Sequence, residues 1–249
     1  MPSVEPLPFV VAALAFLIAG FVKGVIGLGL PTVSIGLLSL VMAPAKAASL
    51  LIVPSFVTNV WQLASGPSFG RLARRLWPML AGIILGALAG TGLLTGSHAG
   101  QADVGLGLLL MLYAGLGLTS VRFSVAATAE WWLGPVVGLM TGVVTAATGV
   151  FAIPAVPYIG ALGLGKDELI QALGLSFTVS TIALAAALMG GGAFHPGDAG
   201  ASTAALAPVL LGVAAGGALR GRFSEKAFRR VFVWGVLLLG ARLASRAVL

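Results

Sequence analysis

Charge is scarce in this chain. Lys and Arg number 14 and Asp and Glu 7, together 8% of 249 residues, where soluble domains carry about 25%. Cysteine is absent, which excludes a disulfide frame, thiolate chemistry, iron–sulfur clusters and Cys-ligated zinc. Histidine occurs twice, as His98 and His195, and both fall in predicted loops. Hydrolytic or metal chemistry needs His, Asp, Glu or Cys on facing elements, so a membrane-embedded enzyme is disfavoured, and neither cofactor nor metal is called for. The acids are no better placed: Glu5, Asp103, Glu130, Asp167, Glu168, Asp198 and Glu225 all lie at segment ends or in loops. No carboxylate sits at a span centre to relay protons. The net charge of +7 and pI near 10.9 do not point to nucleic acid, which requires a basic patch on a soluble face.

What the chain has instead is apolar sequence. Hydrophobic residues make up 59% and the mean hydropathy is +1.08, the composition of an all-α polytopic membrane protein. About ten apolar segments emerge against the ~20 residues a helix needs to cross a bilayer. The first half gives 8–22, 25–42, 46–65, 76–96 and 103–121, and the second 131–144, 147–163, 168–190, 204–220 and 228–245. The N-terminal residues lack the basic region of a cleavable signal, so the first segment is expected to stay in the mature protein.

The two halves echo one another. Pro78-x3-Gly82-x3-Gly86 returns as Pro208-x3-Gly212-x3-Gly216, Gly20-x3-Gly24 as Gly138-x3-Gly142, Lys46 as Lys166 and Thr58 as Thr178. Five segments per half is an odd number, which turns the second copy upside down in the membrane, the inverted topology common in secondary transporters. The expected organisation is a first repeat over 1–125 and a second over 126–249, within one membrane domain. Loop charge agrees with inversion. Arg71, Arg74, Arg75, Arg122, Arg220, Arg222, Lys226, Arg229 and Arg230 fall in loops on one side, whereas the loops from Ser97 to Asp103 and Gly191 to Thr203 hold no Lys or Arg. The positive-inside rule makes the first set cytoplasmic, and both termini then come out external, with Arg242 and Arg246 awkwardly placed.

Chemistry is expected where the helical pattern fails, because irregular backbone survives in a membrane only inside protein or beside a water-filled cavity. The stretch from Gly20 to Thr32 holds Lys23, Gly24, Gly27, Gly29 and Pro31, and the stretch from Gly138 to Pro154 holds Gly142, Thr145, Thr148 and Gly149. These read as broken or short helix hairpins at segments 1–2 and 6–7. Half-helix N-termini offer free N–H groups and the positive end of a dipole to an anion. The other reading is that the glycines simply allow close helix packing.

The same residues carry a family resemblance. Lys23-Gly24-x2-Gly27-x-Gly29-x-Pro31, Pro44-x-Lys46-Ala47-Ala48 running on to Asn59, and Gly142-x6-Gly149-x4-Pro154-x2-Pro157-Tyr158 followed by Gly163 and Gln171 to Thr178 resemble the TauE/SafE family of sulfite exporters and related anion permeases. The resemblance spans nearly the whole chain. It implies a prokaryotic inner-membrane carrier for small, often sulfur-containing anions such as sulfite or organosulfonates, in a family diverse in substrate.

Polar residues inside the spans complete the expected site. Asn59 and Gln62 lie three apart on one helix face, and Gln171, Ser176 and Thr178 form a similar cluster in the eighth segment. Such groups either replace the water around an oxyanion or bond neighbouring helices. Lys23, the sole base interior to a predicted hairpin, either draws the anion or snorkels to the interface. The candidate substrate-binding set is Lys23, Gly27, Gly29, Thr32, Asn59, Gln62, Thr145, Thr148, Gly149, Gln171, Ser176 and Thr178, with Pro31 and Pro154 marking the breaks. Lys46 and Lys166 read as boundary anchors. The expected partners are a small anion and the lipid bilayer, with homo-oligomerisation open and a passive channel or a carrier of small carboxylates as the competing functions. With no buried acid, the inside-negative potential is the expected driving force for export, at ~2.3 kcal/mol per charge per 100 mV.

Overall fold

Proline and glycine decide where this chain's helices begin, bend and stop. A computed structural model describes residues 6–95, 102–118, 124–195, 197–222 and 224–245. His98, Arg122 and Arg246 lie outside these. Among the described residues there are helices and no strands: α1 (Pro6–Ile26), α2 (Leu30–Leu38), α3 (Pro44–Ala64), α4 (Phe69–Ala89), α5 (Ala102–Leu118), α6 (Glu130–Thr148), α7 (Ala155–Gly160), α8 (Lys166–Gly190), α9 (Asp198–Ala204), α10 (Leu206–Leu219), a 3₁₀ turn (Arg220–Arg222) and α11 (Glu225–Ala244). Five helical stretches are long and apolar enough to cross a membrane, namely α3, α4, α6, α8 and the run Asp198–Arg222, with shorter apolar helices at Val10–Ile26 and Ala102–Leu118. This is the architecture of a polytopic helical membrane protein.

The hairpins differ from expectation in where they break. α1 continues through Lys23 and Gly24 to Ile26, and the chain turns only at Gly27 (φ 79°) and Gly29 (φ 100°), left-handed conformations that glycine adopts without the penalty of a Cβ. Pro31 then sits in the first turn of α2, where its missing N–H costs nothing. In the second half α6 runs unbroken to Thr148 and stops at Gly149 (φ 75°), before Pro154 and α7. The shortness expected of both hairpin members falls on the second member alone: α2 has 9 residues and α7 has 6. The ninth segment also starts earlier than predicted, as α9, and is interrupted at Ala205 because Pro208 offers no N–H to the carbonyl of Ala204.

Gly20, Gly24, Gly138 and Gly142 therefore mark no break. They are packing residues, and each motif meets its partner in the other half. Gly20 and Gly24 on α1 lie against the backbone of Val209, Val213 and Gly216 on α10, while Gly212 and Gly216 return the contact to Leu17 and Phe21. Gly138 and Gly142 on α6 meet Met79, Ile83 and Gly86 on α4 in the same way. A side chain at any of these positions would collide with main-chain atoms, so the small residues set the distance between helices. The remaining long pairings are α3 with α8 and α5 with α11. Gly107 on α5 meets Gly240 and Ala244 on α11.

Proline inside α3 is repaired by another helix. Pro54 cannot donate to the carbonyl of Leu50, and Ser202 of α9 donates to that oxygen (2.9 Å) while accepting from the N–H of Val53 (3.0 Å). Lys46 at the start of α3 pairs with Asp198 at the start of α9 (2.8 Å). At the other end of the bundle, Gln171 on α8 donates to the carbonyls of Leu63 (2.8 Å) and Gly66 and accepts from the N–H of Ser68 (2.9 Å), Arg71 pairs with Glu168, and Arg75 pairs with Glu130 (2.6 Å). Asp103, Glu130, Asp167, Glu168 and Asp198 all occupy first helical turns, where the helix dipole favours a negative charge.

Candidate functional site

α1 delivers the buried cation. Lys23 sits three residues before the end of the helix, and its side chain does not snorkel: only 6% of the residue is exposed. The ammonium donates to Thr58 Oγ1 (3.0 Å) and to Asn59 Oδ1, both on α3. Thr58 is oriented by its own bond to the carbonyl of Pro54 (2.8 Å), and Asn59 by donating to Thr181 Oγ1 on α8 (3.3 Å). Both acceptors are neutral. An ammonium has three N–H donors, so one remains without a protein acceptor among the described residues.

That remaining donor borders a cavity of about 1360 Å³. Lys23, Gly27, Thr58 and Gln62 line its interior, Tyr113 and Phe232 form one wall, and Lys166, Arg220 and Arg229 stand exposed among the remaining lining residues. Among the described lining residues there are four cations and no carboxylate. Removing one partner from a buried ion pair is costly because it strands a charge. Lys23 stands in that condition here, compensated by neutral dipoles on one side and open space on the other.

The remaining candidates divide by end of the bundle. Gln62 donates to the carbonyl of Ile170 (3.0 Å) and keeps a second amide N–H on the cavity side. Gly29 caps α2 against Val22 and Phe232 and lies outside the cavity lining. Thr32 is fully buried on α2 with no bonding partner for its hydroxyl among the described residues, as is Ser176 on α8. Gln171 is occupied at the α3–α4 turn as described above. Thr145, Thr148 and Thr178 donate to the carbonyls of Thr141, Val144 and Gly174, each bonding its own helix, and Thr148 also accepts from the N–H of Val150 (3.2 Å). Gly149 is covered by Ile35 and Ala48. Thus the break near Gly27 borders open space, whereas the break at Gly149 is packed shut.

One part of the expected chemistry has the opposite sign. Half-helix N-termini were the expected anion donors, and Val156 and Pro157 in the first turn of α7 do line the cavity, but at the first hairpin it is lined by Gly24, Val25 and Ile26 at the C-terminal end of α1 and by Leu28 beyond it, not by the first residues of α2. The cavity's positive charge comes from side chains instead. Arg220 and Arg229 read in the sequence only as orientation signals, and Lys166 as an anchor. No feature of the sequence singled them out, and it is the packing of α10 on α1 that brings Arg220 to the cavity.

A family model described as Sulfite exporter TauE/SafE matches residues 12–243. Neither the curated proteins nor the solved structures give a match.

Proposed function

We propose, from the premise that this chain belongs to the sulfite exporter TauE/SafE family, that it is a secondary carrier exporting a small anion, a sulfur oxyanion or organosulfonate, across the prokaryotic inner membrane. The observation that carries the anion is Lys23: a buried ammonium with neutral partners, in a cavity whose described lining holds further cations and no carboxylate. A substrate anion supplies the missing countercharge. Intramembrane charge of this kind is costly unless it serves such a role.

Alternating access between inverted repeats is the proposed mechanism. Its support is the crosswise pairing of helices: α1 meets α10 as α6 meets α4, and α3 and α5 each meet their own counterparts, α8 and α11. A pseudo-two-fold axis in the membrane plane relates such pairs. The open cavity near Gly27 and the packed break at Gly149 then represent one of two states, with the open side cytoplasmic by the positive-inside rule and both termini external.

Purified protein in proteoliposomes tests this reading. Saturable uptake of sulfite or an organosulfonate with counterflow is expected, and Lys23→Met is expected to lower it about tenfold or more, the scale of a lost charge-assisted contact. Counterflow separates a carrier from a passive channel. Uptake that is unsaturable, or equally fast in Lys23→Met, would overturn the proposal.

A further inference from the structure

The cavity presents an anion with the unfavourable end of a helix. α1 ends at Ile26, and the last four carbonyls of a helix have no intrahelical donors and carry roughly half a negative charge. Two of these oxygens are spoken for. The N–H of Gly27 bonds the carbonyl of Lys23 (2.7 Å), and Arg220 Nε donates to the carbonyl of Val25 (2.8 Å).

Arg220 reaches that carbonyl from the 3₁₀ turn that follows α10, the helix that glycines hold against α1. A guanidinium has five N–H donors in a rigid fork, and the bond to Val25 uses one. Its Nη2 stands 3.9 Å from the position a Cβ would take on Gly27. Gly27 is four residues beyond Lys23, and this bare glycine, the ammonium and the guanidinium all line the one cavity. No described carboxylate lines the cavity to neutralise either cation. Lys166 and Arg229 also line it, but among the described residues no hydrogen bond or ion pair holds either in place, whereas the Val25 bond holds Arg220.

We infer that Arg220 is a second anion ligand of this cavity, acting with Lys23, and that the pair selects a compact dianion over a monoanion of the same shape. The inference rests on the anion-carrier reading and deepens it. Lys23 alone is balanced by a single negative charge. With Arg220 fixed in the same cavity, one charge leaves a cation unpaired, and a second charge with several acceptor oxygens satisfies the fork as well. Arginine suits the position because its planar fork bonds the helix end and still offers donors to a tetrahedral oxyanion, which an ammonium at the same place cannot do with one geometry.

Sulfate and methanesulfonate are the probes, since both are tetrahedral and similar in size but differ by one charge. Titration calorimetry on purified wild-type protein is expected to give sulfate an affinity about tenfold higher, the discrimination expected of one charge-assisted contact. Arg220→Gln should bring the two affinities together, Arg220→Lys should retain part of the preference, and Arg222→Gln, outside the cavity lining, should leave it unchanged. A measurement on wild-type protein covers the case in which Arg220→Gln does not fold. Phenylglyoxal modification, mapped by mass spectrometry, should be slowed at Arg220 by sulfate more than by methanesulfonate, with little protection at Arg222. Equal affinities in the wild type, a preference untouched by Arg220→Gln, or equal protection at Arg220 and Arg222 would overturn Arg220's role and leave the carrier intact. Binding of neither anion, with no saturable uptake, would sink the carrier reading itself.

Discussion

Asn59 and Gln171 are both buried amides at the contact of α3 with α8, and their surroundings assign them different work. Asn59 accepts from Lys23 and donates to Thr181, so its loss removes an acceptor from a buried cation. Gln171 spends its amide on Leu63, Gly66 and Ser68, all main-chain groups of one turn. Asn59→Ala is expected to weaken anion binding and also to cost about 1–3 kcal/mol of stability, the penalty of leaving a buried polar group unsatisfied. Gln171→Ala is expected to cost a similar amount while leaving affinity unchanged. Thermal unfolding in detergent beside ligand titration checks both, and an affinity change in Gln171→Ala that exceeds the change in Asn59→Ala would reverse the assignment. In the sequence these two side chains were indistinguishable, since each is an amide within a polar cluster of an apolar helix. Only the partner across the helix contact separates them.

At the level of helices, glycine carries two distinct roles that composition cannot separate. Gly142 on α6 abuts the backbone of Ile83 and Ala87, whereas Gly115 on α5 has open space where a Cβ would go. Gly142→Ala forces α6 from α4 and is expected to destabilise by about 1–3 kcal/mol, the usual cost of overpacking. Gly115→Ala should instead stabilise by about 0.5–1 kcal/mol through the lower entropy of the unfolded chain. Opposite shifts in unfolding temperature are the signature, and a stabilising Gly142→Ala would refute the close packing. The sequence did expose the repeated Gly-x3-Gly and Pro-x3-Gly-x3-Gly patterns, because duplication makes spacing visible. It did not expose that the first pattern of one half packs on the second pattern of the other. That pairing is long-range, and the turns at Gly27, Gly29 and Gly149 fall within the expected stretches but beyond the Gly-x3-Gly pattern of each. The short α2 and α7 were legible from the residue count, though not which hairpin member was short.

For the molecule as a whole, the closed end of the bundle is held by few polar contacts. Lys46 pairs with Asp198, and Ser202 bonds Leu50 and Val53 beside Pro54. If this end opens during transport, these contacts break as a group. Ala48 lies here fully buried against Gly149, and the chain has no cysteine of its own. A lone Ala48→Cys should therefore react slowly with a membrane-impermeant maleimide and several-fold faster once Asp198→Asn is added. Exposed ion pairs are worth about 1 kcal/mol or less, so a rate rise of roughly fivefold is the expected scale. An unchanged rate would show that the pair does not hold this end shut. The family and the helical membrane class were readable from sequence, whereas Lys23 stood open between a buried cation and a snorkelling one until its burial decided against snorkelling. The cavity was not readable, because its walls come from segments as far apart as Lys23 and Arg229.

The crosswise glycine contacts also bear on how the chain is made. The small-residue face of α1 is covered by α10, which begins about 180 residues after α1 ends. At synthesis rates of about 5–20 residues per second, that face waits roughly 10–40 s for its partner. α4 and α6 follow one another far sooner. The nascent protein thus acquires its α4–α6 pair early and keeps the glycine face of α1 uncovered until α10 has been made, so premature release of the chain before α10 leaves a glycine-lined surface facing lipid and open to the wrong helix.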